Sequence, residues 1–183
     1  MDTLKFRNLK KNEIQCRVRQ ITEDRATNGT YCSLLLYKDA RVDQNILDET
    51  VGPERWQKEY HEKCGQLFCT ISIKMDNGEW VSKEDTGSKD ANFEAEKSLA
   101  SDAQKRAGFL WGIGRALYTK IDIDFFLGRD EYYFNTRANT NVLSRGVRFF
   151  VSDIEYDKSG NTITKLQIQD QLGRVRFNYP FKA

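Results

Sequence analysis

The chain has 183 residues, 39% hydrophobic and 31% charged, with a formal net charge of +2. That length suits one domain with a buried core. No apolar run approaches the roughly 20 residues of a membrane-spanning helix, and the opening MDTLKFRNLKKNE lacks the apolar stretch of a secretory signal. A cytoplasmic protein with no membrane partner is expected. The near-neutral total neither supports nor excludes a nucleic-acid partner, because phosphates are neutralised by clustered cations.

In chain order, residues 8–21 read as a short helix, since Ile14, Val18 and Ile21 repeat at i, i+4, i+7. A loop at 22–30 leads to Tyr31–Tyr37, a buried strand or the approach to the next helix. Asp39–Val51 is a helix carrying Val42, Ile46 and Leu47, and Gly52-Pro53 stops it. Residues 55–62, 66–75 and 79–86 read as three antiparallel strands. In the second, Leu67, Cys69, Ile71 and Ile73 alternate with Phe68, Thr70, Ser72 and Lys74, and Asp76-Asn77-Gly78 is a hairpin turn. A long helix is expected over 92–118. Residues 121–146 give no clear period, and 147–156, 162–169 and 174–179 look like further strands.

The long helix carries the functional signal. At about 100° per residue, Leu99, Ala103, Ala107, Leu110 and Trp111 share one broad face. Lys97, Ser101, Lys105, Gly108, Gly112 and Arg115 share another, which is basic and small. Residues 97–120 hold five basic side chains against one acid, Asp102, where a solvated face usually mixes signs. Gly108, Gly112 and Gly114 each cost about 1 kcal/mol relative to alanine. Close helix–sheet packing, close subunit packing or close approach of a ligand is needed to offset that. Such a stripe suits a DNA backbone.

Recognisable catalytic chemistry is missing. There is no GxxxxGK[ST] loop, one histidine, and no (Asp/Glu)-x-Lys pattern. His61, Cys64 and Cys69 invite a zinc reading, but a closed site needs four ligands; a hairpin with Cys69 facing the core is expected instead. No cofactor and no metal site are expected. The four cysteines read as reduced thiols.

The segments EIQCRVRQI (13–21), LLYKDARVDQNILDETVGPERWQKEY (35–60), GQLFCTISIKMDNGEWVSKEDTG (65–87) and SLASDAQKRAGFLWGIGRALY (98–118) resemble, in content and order, the annealing domain of the Rad fifty-two superfamily. The likeness is greatest to phage Sak-type single-strand annealing proteins. It implies an α+β fold: an antiparallel β-β-β-α core with a long helix packed on a curved sheet, an N-terminal helix and a β-rich C-terminal tail. One annealing domain would fill residues 1–183, with its core at 13–118 and an extension at 119–183. The resemblance further implies a homo-oligomeric ring or curved filament that anneals single-stranded DNA without ATP, in recombination or repair inside a bacterial host. A phage or host single-strand-binding protein or an exonuclease would be a partner. Arg17, Tyr37, Arg41, Lys97, Lys105 and Arg106 match groove positions of the family; Arg115 joins them from the basic stripe alone, and Arg106 falls at the stripe's rim. A non-annealing, end-protecting DNA-binding module is the alternative, and a DNA-processing enzyme a more distant one.

Overall fold

A computed structural model describes residues 4–24, 27–88 and 95–180, with the side chains of 95–97 outside that description. The elements in order are β1 (Ile14–Asp24), β2 (Gly29–Lys38), α1 (Ala40–Val51), β3 (Trp56–Lys63), β4 (Gln66–Lys74), β5 (Trp80–Thr86), α2 (Ala95–Trp111), β6 (Ile123–Leu127), β7 (Tyr132–Asn135), β8 (Thr140–Leu143), β9 (Phe149–Tyr156), β10 (Ile163–Asp170) and β11 (Val175–Tyr179). Among the described residues strands far outweigh helices, so the protein is mostly β. This overturns the expected α+β class with a long helix on a curved sheet. The expected N-terminal helix is also absent: a single 3-10 turn covers Lys11–Glu13, and residues 14–21 belong to strand β1. The stretch 14–19 alternates, with Ile14, Cys16 and Val18 turned inward and Gln15, Arg17 and Arg19 outward, and ladder pairing takes precedence over the weaker helical spacing. Among the described residues no helix is long and apolar enough to cross a membrane.

The chain divides into two compact units, Met1–Leu9 with Lys38–Arg115, and Lys10–Tyr37 with Ala116–Ala183. In the first, β3, β4 and β5 form an antiparallel sheet with β4 central. Trp56 pairs with Ile73 and Lys74 with Trp80. The inward side chains Cys69, Ile71 and Ile73 are buried, and α2 lies against β4 and β5. Asp39 caps α1, its carboxylate accepting the Arg41 backbone N–H at 2.8 Å.

α2 stops at Trp111, well before residue 118. Gly112 adopts φ +101°, its N–H donates to the Phe109 carbonyl, and the Ile113 N–H donates to the Gly108 carbonyl. This is a Schellman ending, which glycine permits without a Cβ clash. Gly108 has a different reason. Its missing side chain makes room for Asp43 of α1, since a Cβ there would lie 2.9 Å from Asp43 Oδ2. Asp43 is fully buried and paired with the buried Lys38 ammonium. Its Oδ2 accepts no hydrogen bond among the described residues. Burial pushes the Asp43 carboxyl up to about 6, against the pull of Lys38. The same burial lowers Lys38. Gln104 joins the two helices by donating to the Ala40 carbonyl at 2.9 Å.

In the second unit six strands follow the order β11-β10-β9-β1-β2-β6. The sheet is nearly closed and barrel-like, with Arg176 of β11 donating to the Phe126 carbonyl of β6 at 2.6 Å across the two edges. Ile14, Cys32, Leu34, Ile123, Phe125, Phe149, Val151 and Leu166 are buried. Arg176 also bonds the buried Glu131 at 2.6 Å, and Arg174 bonds the buried Asp170 at 2.7 Å. The hydrogen bond from Arg176, acting against burial, holds the Glu131 carboxyl below its ordinary range. The residues 121–146 that lacked a period supply β6 and the small β7–β8 hairpin.

The buried pair makes a directional prediction. Asp43→Ala is expected to cost about 3–5 kcal/mol in urea unfolding, because it leaves Lys38 buried without a counter-charge. Lys38→Met with Asp43→Val is expected to restore stability to near the parent value.

Candidate nucleic-acid interface

Strand β1 places Arg17 and Arg19 on its exposed face, about 6.6 Å apart at 3.3 Å per residue. Among the described residues neither arginine has a carboxylate partner. On the same face Gln15 stands opposite Phe150 of β9, whose side chain is 51% exposed. Neighbouring β2 turns Tyr31, Ser33, Leu35 and Tyr37 outward. Tyr31 pairs with Phe126 of β6 and Ser33 with Asp124. The Tyr31 and Phe126 rings have centroids 4.0 Å apart at a 35° tilt, yet Phe126 stays 50% exposed. Gly29 explains that position, because a Cβ there would come within 2.5 Å of the Phe126 ring. The Ser33 hydroxyl donates to the Asp124 carboxylate. A groove of about 350 Å³ runs beside these strands, with Arg19 and Lys120 among its lining groups, together with Leu35, Asp122 and Asp124.

The residues expected to hold DNA are divided between the two units. Arg17 and Tyr37 share the outward face of the six-stranded sheet; Arg17 sits within a strand, not at a helix end. Arg41, Lys105, Arg106 and Arg115 belong to the other unit. Arg41 projects from the first turn of α1 with its side chain 86% exposed, 3.7 Å from Asp39. Lys97 lies on the α2 backbone, and its side chain is outside the described residues. Lys105 is partly exposed and 3.8 Å from Asp102. Arg106 reaches Asp85 of β5 at 3.4 Å within the same chain. Arg115 falls beyond the end of α2, so it does not extend the helical stripe. It donates to the carbonyls of Phe109 at 3.1 Å and Leu110 at 3.2 Å and lies over the Phe109 ring. Lys83 also donates to the Leu110 carbonyl, at 3.0 Å, and covers the Trp111 ring. Cations at a helix C-terminus offset its unpaired carbonyls and dipole.

Arg19, Phe126 and Phe150 escaped the sequence reading. The signal for Arg19 was present in the alternation Ile14-Gln15-Cys16-Arg17-Val18-Arg19. The signal for Phe126 lay in Ile123-Asp124-Phe125-Phe126-Leu127, whose odd positions are buried. His61 and Cys69 stand on opposite faces of the β3–β4 hairpin, because His61 pairs with Phe68 while Cys69 pairs with Tyr60. His61 instead meets Glu84 at 3.2 Å.

No family model matches the chain, and no solved structure matches it. Among curated proteins it is similar to the single-stranded DNA-binding protein DdrA of Deinococcus radiodurans. The two are 37% identical over 90 residues, a stretch covering 49% of this chain and 42% of that protein. The matched stretch therefore spans less than half of the relative's own length.

The two kinds of arginine separate in stability measurements. Arg115→Ala is expected to lower unfolding free energy by about 0.5–1.5 kcal/mol by freeing helix-end carbonyls. Arg17→Ala should stay within about 0.5 kcal/mol of the parent. Chemical denaturation of both variants checks this.

Proposed function

We propose that the protein binds single-stranded DNA and, as a homo-oligomeric ring or curved filament, anneals complementary strands without ATP in recombination or repair. The similarity to a single-stranded DNA-binding protein is the observation that carries this reading. Two arginines on the exposed face of a strand, without acid partners among the described residues, support it, because such cations are available to phosphates. The motif resemblance to the Rad fifty-two superfamily adds annealing, self-assembly and a single functional domain over the whole chain to the proposal. In this reading Arg17, Tyr37, Arg41, Lys97 and Lys105 hold the strand. Arg106 and Arg115 contribute less, since each already serves an internal partner. No bond-making step is part of the proposal.

A second reading, binding and end protection without annealing, draws on the relative's name, which states binding alone. A strand-pairing assay with quenched fluorophores separates the two. Pairing faster than the spontaneous rate, without nucleotide, is expected; tight binding with no acceleration would leave only the second reading. Affinity should fall steeply with salt, and Arg17→Ala should reduce the slope of log K against log salt by about 0.7, the value for one contact with a single strand. An unchanged slope would remove Arg17 from the interface.

A further inference from the structure

We propose that the outward face of strands β9, β1, β2 and β6 is a base-stacking track for single-stranded DNA. Phe150 and the Tyr31–Phe126 pair would stack bases, while Arg17, Arg19 and Lys120 hold the backbone. The inference rests on the reading that the chain binds single-stranded DNA, and it assigns the mode of binding.

Folding leaves these aromatics out of the core. Phe126 and Phe150 are half exposed, as is Leu35 at 49%. Single exposed apolar side chains are ordinary, but a set gathered on one sheet face marks a surface that meets a partner. The arrangement along the strands is ordered. Phe150 pairs with Gln15 at the start of β1. The short connection from β1 to β2 sets the start of β2, and with it Tyr31 and Phe126, beside the far end of β1. Arg17 and Arg19 lie between these two ends. From Gln15 to Arg19 the alternating stretch measures about 13 Å.

The chemistry favours a nucleic acid over a second copy of the chain. Proteins that bind single strands without sequence preference combine aromatic platforms with a positive groove, because every base has a π face. Arg19 and Lys120 line the groove beside the track together with Asp122 and Asp124, and Arg17 on the adjoining strand surface adds a third cation. A twofold dimer with its axis near Arg17 and Arg19 would set the arginines of one copy near those of the other. Phe126 is also held in place, by Tyr31 on one side and the bare Gly29 backbone beneath it. Pre-ordering of that kind lowers the entropy lost when a base stacks.

The test uses the full chain, a fluorescent oligothymidylate and an abasic oligomer of the same length. Wild-type protein is expected to bind the thymidylate more tightly than the abasic strand. Phe126→Ala and Phe150→Ala should each weaken thymidylate binding by roughly tenfold and abasic binding little. Arg17→Ala with Arg19→Ala should weaken both. If Phe126→Ala loses its cooperative melt, Phe150→Ala, which removes a ring half in solvent, decides the matter. Wild-type protein that binds neither strand would end the functional reading itself. Thymidylate binding unaffected by the aromatic variants would overturn the track alone. So would a change in native assembly mass without loss of binding, which would make this face a contact between copies.

Discussion

Side chains on a strand point alternately to its two faces, and in the six-stranded sheet that alternation decides which groups meet solvent. Ile14, Cys32, Phe125, Phe149 and Val151 fill the interior. The intervening positions have nowhere to go but outward, which puts Arg17, Arg19, Tyr31, Phe126 and Phe150 on one outer surface. A one-residue shift of register would exchange the two sets and destroy both the core and the surface. The sheet's edges are joined by Arg176, whose guanidinium reaches the Phe126 carbonyl and the Glu131 carboxylate. The backbone that carries Phe126 is thus tied to the network that closes the sheet.

The other unit treats its cations differently. Lys58 donates to Gln104, Lys83 to the Leu110 carbonyl, Arg106 meets Asp85, and Arg115 covers the end of α2. Lys38 is buried against Asp43. These groups finish helix ends and hold helices to the sheet, so a count of basic residues along 97–120 overstates the charge offered to a ligand. The glycine at 108 follows the same logic. The close approach it permits is that of Asp43 from α1. Arg41 and Lys105 have more distant acid partners, at 3.7 and 3.8 Å.

Much of the fold was legible where local rules act alone. The β3–β5 sheet follows from alternation and the Asp76-Asn77-Gly78 turn, α1 from its Gly52-Pro53 stop, and β9–β11 from their spacing. The first element was misread because Ile14 and Val18 share a face in either a helix or a strand, and the alternation breaks before Ile21. The long helix was carried too far because its apolar pattern continues past Gly112, and a positive φ there leaves no trace in periodicity. Strands of four residues, such as β7 and β8, are too short to show a period. Of the candidate site, Arg17 and Tyr37 were named with the wrong local structure for Arg17. The aromatic partners lay in the unread segment and across strand pairings that no single-chain pattern reveals.

The most direct test of the central claim is ultraviolet crosslinking of the full-length protein to an oligothymidylate, with the crosslinked peptides read by mass spectrometry. The account predicts attachment on the outward face of the six-stranded sheet, at Tyr31, Phe126 or Phe150. Crosslinks confined to α1, α2 and the β3–β5 sheet, with none on β1, β2, β6 or β9, would contradict it.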